Sequence, residues 1–431
     1  MAKERYYARN WASFHFMGNI NNFSYCVVNA AGQSLAEFFH NSKNIGLILW
    51  ANIAFGFVAR MLNTFVLEKI STRAKITFNV VIMATGLVGV AMSVYVNFWF
   101  CLACISLIGI GSSFGESVLL VYLKQFPSEM VNGWSSGTGV AGVSGSLFYI
   151  ALSGLAHLEN QTIFLIILPT IAIYGLLFFL GIKIPRTKTD ALLSEDTPLH
   201  YEELNEELVN TANDDQGQIP TQDDMDSMIR PEVGPPGETK KQRYIRCARL
   251  VWWNAINLML VYFFEYVASV GGADLAVRSL KGDWFNENAY PILSFCYQFG
   301  VLLSRSSLQL VKIKRIGVIT VLQGINMALW LLQGRYKMIS SIWVLFVLMF
   351  YCGLLGGASY VNVFYLILHD KRIPNEDREV CINYAALLVT LGITLASVFI
   401  LVMDHTFMKA YLPVTTDSSS GESSLLMSLN I

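Results

Sequence analysis

An all-α integral membrane protein of about eleven transmembrane helices, arranged as two repeated halves, is the fold this sequence predicts. Three observations carry that expectation. The 431 residues are 54% hydrophobic and only 14% charged, where soluble domains carry about a quarter of their residues as charges. The apolar residues gather into stretches of about 20, the length that crosses a bilayer. Paired motifs recur between the first and second halves at a shift of about 245 residues.

The stretches lie near 11–31, 46–66, 76–96, 98–123, 132–156, 162–183, 248–270, 289–311, 316–334, 339–367 and 379–403. Asn97 separates the third from the fourth. The first carries His15, Asn19, Asn21 and Asn22, too polar for the core of a signal peptide, so no cleaved leader is expected. The division expected is an N-terminal half over 1–185 with six spans, a disordered acidic loop over 186–246, a C-terminal half over 247–405 with five spans, and a tail over 406–431. The loop is rich in Asp, Glu, Thr, Gln and Pro and poor in aromatics, a composition that buries too little surface to fold.

Basic residues set the orientation. With the N-terminus in the cytosol, six Lys and Arg fall on the far side (Lys43, Arg278, Lys281, Arg335, Lys337 and Lys409). Two lie within spans (Arg60 and Arg305), and the other 22 of the 30 collect on the cytosolic side. The sequon at Asn160 then faces a lumen and is the expected glycosylation site. Tyr201 and Leu204 form a Tyr-x-x-Leu sequence of the kind read by cytosolic sorting adaptors, in the loop between the halves.

The repeat is visible in two places. The second span, GFVARMLNTFVLEKIS (56–71), matches the eighth, GVLLSRSSLQLVKIKR (300–315), in a Gly, then an Arg, then a basic run. The fourth, LIGIGSSFGESVLLVYL (107–123), matches the tenth, FYCGLLGGASYVNVFYL (350–366), in a glycine-rich start, a polar residue and a closing Tyr-Leu. Repeated halves are an architecture of secondary transporters. Residues 133–146, GWSSGTGVAGVSGS, place Gly139, Gly142 and Ser146 at helical spacing, a smooth ridge for close packing in lipid.

Ionisable groups at membrane depth are expensive and mark function by default. Glu265 lies in YFFEYVASVGG (262–272), on one face with Asn254, Asn257 and Val261. A carboxyl stripped of water there favours its neutral form, so it is read as the protonatable group. Glu116, Arg305, Asn19, Asn22 and Asn362 are the other residues expected along a solute path. Arg60 and Arg305 sit about two turns inside the cytosolic edge, as gates, as helix-positioning residues, or as snorkelling side chains that keep their charge at the interface. The seven cysteines are read as small packing residues. No nucleophile elbow, phosphate loop, paired-histidine metal motif or carboxylate pair appears. No enzyme activity, metal or cofactor is expected, and no nucleic-acid partner.

Five segments, NNFSY (21–25), WSSGTG (134–139), YFFEY (262–266), SRSSL (304–308) and GLLGGASYVN (353–362), resemble the battenin family of lysosomal and fungal vacuolar membrane proteins. They span both halves in the family's order. The resemblance implies a fold like that of the major facilitators, in a lysosomal, vacuolar or late endosomal membrane. It also implies roles in lumenal pH, in basic amino acid content and in clearance of glycerophosphodiesters, and it places Glu265 and Arg305 in family motifs. Animal members end in a prenylatable Cys motif, which the final MSLNI lacks, so the resemblance does not carry lipid anchoring or a cytosolic side over to this tail. The expected function is export of a small polar solute, with protons as a second partner. The rival is a membrane scaffold that regulates trafficking or proton pumping without moving a solute.

Overall fold

The structure, a computed structural model, describes residues 6–65, 70–123, 126, 129–183, 239–306, 312–374 and 377–406. Tyr201 and Leu204, the rest of 184–238, and 407–431 lie outside the described residues.

Eleven long helices are present among the described residues. They are α1 (Tyr7–Ala30), α2 (Ile45–Phe65), α3 (Thr72–Met92), α4 (Phe98–Leu123), α5 (Glu129–Tyr149), α6 (Asn160–Leu176), α7 (Lys240–Tyr266), α8 (Ala289–Ser306), α9 (Ile316–Tyr336), α10 (Ile342–His369) and α11 (Arg378–His405). Among the described residues nine helices are long and apolar enough to cross a membrane; the segments containing α1 and α8 are not among them. Polar residues explain the first case: α1 buries Asn10, Ser13, Asn21 and Ser24 inside the bundle. Wide π-helical turns extend α5 through Ile150–Leu155, α6 through Leu177–Gly181 and α7 through Val267–Gly272.

Local chemistry sets the boundaries. Asn97 Oδ1 accepts from Phe100 N at 2.9 Å and starts α4, and Ser71 caps α3 through Ala74 N. Lys337 closes α9 with a left-handed φ of 51°. One expectation is corrected here. The loop assigned to 186–246 ends earlier, because Thr239 and Gln242 form a capping box and α7 is helical from Lys240.

The helices pair twice in the same way. In the first half α1 packs on α5, and α2 on α4; in the second α7 packs on α11, and α8 on α10. The equivalences reach single residues. Gly56 of α2 sits against Gly109 and Ser113 of α4, while Gly300 of α8 sits against the Phe350–Gly353 backbone of α10. Each half has its own apolar core: residues of α7–α11 form one, joined by Ile45, Leu49 and Ile53 of α2, and residues of α1–α6 form two more.

The halves meet along two seams, α2 with α11 and α5 with α8. Gly139 and Gly142 face Leu302 and Gln298 across the second seam, and Ser146 Oγ meets Ser294 Oγ at 3.2 Å. Gly133, Gly137 and Gly145 face α1 instead. The glycine-rich 133–146 stretch therefore serves two interfaces on opposite sides of one helix.

Successive helices alternate in direction, so the connections near 31–44, 93–97, 156–159, 278–288 and 337–341 share one end, here the upper. Side-chain hydrogen bonds between the halves run from the middle toward that end. Tyr25 Oη meets Tyr266 Oη at 3.2 Å. Trp284 Nε1 donates to Gly154 O at 2.7 Å. Arg278 Nη2 donates to Ser42 O at 2.8 Å. His405 Nε2 and Asn44 Oδ1 lie 2.9 Å apart.

Candidate functional site

The YFFEY segment of α7 sorts its residues by face. Phe263 packs on Phe399 of α11, with ring centroids 5.7 Å apart, and Phe264 lies against Gly324 of α9. Tyr262, Glu265 and Tyr266 point to α1, α8 and α10. Helical spacing produces this split, since positions i, i+3 and i+4 share a face.

Glu265 is 1% exposed. Its Oε1 accepts from Tyr297 Oη of α8 at 2.6 Å, and its Oε2 is buried with no partner. Gly356 of α10 makes the room: a Cβ there would collide with both carboxylate oxygens. Two turns down α8 from Tyr297, Arg305 donates from Nη2 to Tyr262 Oη at 3.3 Å. Its guanidinium lies 4.4 Å from the centre of the Tyr360 ring, a cation–π geometry. Arg305 Nε is buried without a hydrogen-bond partner. No carboxylate pairs with Arg305 among the described residues. The centre of the protein is therefore a cage of five tyrosines, 25, 262, 266, 297 and 360, holding one carboxyl and one unpaired cation.

Arg60 and Glu116 form an ion pair with each other. Both remain partly accessible. The sequence left open whether the two arginines snorkel or pair with groups such as Glu116; Arg60 pairs with it, and Arg305 does not.

Span one contributes less directly. Asn19 Nδ2 donates to Ser144 Oγ of α5 at 3.3 Å. Asn22 Oδ1 accepts from Ser112 Oγ of α4 at 2.9 Å and from Asn21 at 3.1 Å. The His15 ring stacks on Trp11 at 5.3 Å. These groups tie α1 to its neighbours while keeping partial exposure.

Both polar atoms of Asn362 hold backbone: its Oδ1 accepts from Ile313 N at 2.6 Å and its Nδ2 donates to Ala358 O at 2.8 Å. The polar stripe on α7 also divides. Asn257 turns to α9, where Thr320 Oγ1 donates to its Oδ1 at 2.8 Å. Eight residues on, the helical phase has drifted by about 80°, and Glu265 faces α8 and α10.

Asn160, the sequon residue, begins α6. Its Oδ1 accepts from Tyr149 Oη at 2.9 Å and its Nδ2 donates to Ser34 Oγ at 2.9 Å. It lies on the wall of an upper cavity of 590 Å³ that Glu37, Glu159 and Glu287 also line. Glu37 in that wall has its carboxyl pushed above the ordinary range by burial. Among the described residues no group of three or more His, Cys, Asp or Glu could hold a metal ion.

Sequence reading missed the tyrosines. Tyr297 stands 32 residues from Glu265, and nothing in its local context marks it as a carboxyl's donor. Tyr262 and Tyr266 were within reach, being four residues apart on the face that carries Glu265.

Solved structures share this architecture. A POT family transporter bound to a thioalcohol-conjugated peptide superposes with a TM-score of 0.63 at 12% identity, covering 94% of this chain and 92% of that one. A D-xylose–proton symporter gives 0.61 at 13% identity, covering 94% and 92%. A bacterial homologue of the lysosomal transporter Spinster, inward-facing and unoccupied, gives 0.60 at 14% identity, covering 94% and 84%. The shared fold is that of major-facilitator-like membrane transporters. Among sequences, battenin of Dictyostelium discoideum is 63% identical over 426 residues, spanning 97% of this chain and all of that protein. Protein BTN1 of Eremothecium gossypii is 29% identical over 406 residues, spanning 90% of this chain and 93% of that protein. The CLN3 protein family model matches residues 12–410, and with these relatives it establishes that this chain is a multi-pass membrane protein of the battenin (CLN3) family.

Proposed function

We propose that this protein is a secondary transporter of an endolysosomal or vacuolar membrane, exporting a small anionic polar solute from the lumen with a proton as its companion. The single observation that carries the substrate class is Arg305. It is a cation within the tyrosine cage, with no carboxylate bound to it among the described residues and with a buried Nε left open. A phosphodiester supplies one negative charge and several acceptor oxygens, which a guanidinium binds through paired, charge-assisted hydrogen bonds. A glycerophosphodiester fits that description better than arginine. A cationic solute would meet Arg305 as a like charge, and Glu116 is already occupied by Arg60.

Glu265 is the proton carrier in this reading. Tyr297 supports one oxygen and the other is without a partner, so exchange of a proton there alters the charge of the cage beside Arg305. In this scheme the upper end faces the lumen and the N-terminus the cytosol. The hydrogen bonds between Tyr25 and Tyr266 and from Arg278 to Ser42 then belong to a closed lumenal side. Asn160 would be glycosylated before α6 packs, since its amide is engaged in the folded protein. The loop containing Tyr201 and Leu204 would meet sorting adaptors in the cytosol.

The test is uptake of glycerophosphocholine by proteoliposomes containing the purified protein, with and without an imposed pH gradient. Wild type should drive uptake, Arg305→Gln should abolish it, and Glu265→Gln should leave binding but remove dependence on the gradient. Uptake of arginine and not of the phosphodiester would overturn the anion assignment. Absence of uptake of either solute, with lysosomal contents restored equally by wild type and Glu265→Gln in cells lacking the gene, would point to the trafficking scaffold.

A further inference from the structure

The first turns of α7 carry chemistry that the central cage does not use. From Lys241 to Val277 the helical segment runs 37 residues, roughly 55 Å at the α-helical rise. The hydrocarbon core is about 30 Å thick, so this segment extends well beyond it. Trp252 and Trp253 mark where it emerges. Their rings lie 5.6 Å apart, edge to face, and they are 51% and 60% exposed, as expected of aromatic side chains at a membrane interface.

Beyond that pair, toward the lower end, stand Lys241, Arg243, Arg246 and Arg249. Arg249 lies one turn out from Trp253, on the same face. Gln242, Ile245, Arg246, Arg249 and Leu250 line a depression of 360 Å³. Their spacing of three, four, seven and eight residues makes it a groove along one helical face.

The basic residues of this patch differ in how they are held. Asp377, whose side chain is 3% exposed, binds Arg243 Nε through Oδ1 at 2.6 Å and Arg246 Nη2 through Oδ2 at 2.8 Å. Asp377 thus bridges two arginines of α7. Burial raises the Asp377 carboxyl's proton affinity, but the two guanidiniums outweigh it and hold the carboxyl below its ordinary range. Asp377 also fixes Arg246 in the groove wall, so that wall is ordered before any ligand arrives. Arg249 and Lys241 are exposed, with no ion pair to a described acid. The result is a groove with an anchored arginine, an exposed arginine and aliphatic sides, one turn from the exposed Trp253.

We propose that this groove is a binding site for an anionic phospholipid. The lipid phosphate and headgroup sit against Arg249 and Arg246, and an acyl chain runs down past Leu250 and Trp253. Basic clusters directly outside a transmembrane helix attract anionic lipids by about 1 kcal/mol for each Lys or Arg near the surface. The apolar members separate this site from one for a soluble anion, because Ile245 and Leu250 gain nothing from inorganic phosphate. A rival occupant exists within the chain, since 14 of its 31 acidic residues lie between Asp190 and Glu238, just before α7. The interfacial tryptophans decide for the lipid.

Native mass spectrometry of the full chain, released from nanodiscs of phosphatidylcholine alone or mixed with phosphatidylserine, tests this. Wild type should retain phosphatidylserine in preference to phosphatidylcholine. Lys241→Gln with Arg249→Gln should lower that retention roughly tenfold or more, while Arg249→Lys keeps most of it. Melting in phosphatidylcholine nanodiscs should be the same for all three proteins, which shows that they fold. Three results would overturn the assignment. One is equal phosphatidylserine retention by wild type and the double variant. Another is tight binding of inorganic phosphate at the same residues. The third is retention that appears only after the acids of 190–238 are neutralised, which would make that segment the occupant.

Discussion

Tyr297 of α8 donates a 2.6 Å hydrogen bond to Glu265 of α7, and that carboxyl receives no other bond from a described residue. Tyr297→Phe keeps the ring and removes the donor, leaving a buried carboxyl without any partner, at a cost of about 1–3 kcal/mol. Thermal unfolding in detergent should show a lowered Tm. Because both changes act on one bond, Tyr297→Phe combined with Glu265→Gln should cost less than the sum of the two single changes. Additive losses would mean that the bond contributes nothing.

Gly356 is a position where a single methyl group should do harm at the central carboxyl itself. A Cβ there meets the Glu265 carboxylate on a rigid helix pair, so Gly356→Ala should destabilise by about 1–3 kcal/mol through overpacking and abolish transport. Gly175 of α6 is the comparison. Its Cβ would meet only Val80 Cγ2, at an ordinary 3.5 Å, and Gly175→Ala should leave Tm unchanged or slightly raised. Similar losses at both sites would refute the steric account.

Asp377 predicts a pH effect with a definite sign. Its carboxyl is held below the ordinary Asp value by Arg243 and Arg246, against the opposing effect of burial. A depressed carboxyl stabilises the fold fully above the unfolded-state value, about 3.9, and that contribution is lost as pH falls through the lower folded value. The Tm difference between wild type and Asp377→Asn should be constant from neutral pH down to about 5 and should shrink below about 4. A difference unchanged at pH 3 would remove the ion pairs from the explanation.

Asp274 and Asp404 lie near one another and should behave oppositely. Asp274 is ion-paired to Arg278, and Asp274→Asn leaves that buried arginine without its carboxylate, at a cost of about 3–5 kcal/mol. Asp404 is 1% exposed, and neither of its oxygens has a hydrogen-bond partner. Removing its charge with Asp404→Asn should leave Tm unchanged or raise it. A large loss at Asp404 would reveal a role that its surroundings do not show.

Membrane character, helix positions within a few residues and the doubling of the halves were legible because composition and period encode them. Bilayer thickness dictates the length of α3 or α9 whatever their neighbours are. Glu265 and Arg305 stood out because charge at that depth is costly and rare. The tyrosines were not legible, since a Tyr in an apolar span is unremarkable until the fold sets Tyr297 beside a carboxyl. The backbone bonds of Asn362 were not legible either: polar residues at membrane depth serve backbone as readily as solute, and Ile313 N lies 49 residues away. Lys240 to Arg246 were assigned to the loop because a basic, polar run resembles a linker, while the Thr239 cap that starts the helix is one residue.

The seam between α5 and α8 has a mechanical consequence. Gly139 and Gly142 put bare backbone opposite Leu302 and Gln298, and the hydrogen bond at this level of the seam joins two small hydroxyls, Ser146 and Ser294. Such a surface behaves as a bearing, with few interlocking teeth to shear when one half slides past the other. Resistance is concentrated instead at the rim, where Arg278 grips Ser42, Trp284 grips Gly154 and His405 meets Asn44. Stiffness and friction are thereby located in different parts of the protein: bulk added to the bearing would jam it, whereas weakening the rim would only change how long it stays shut.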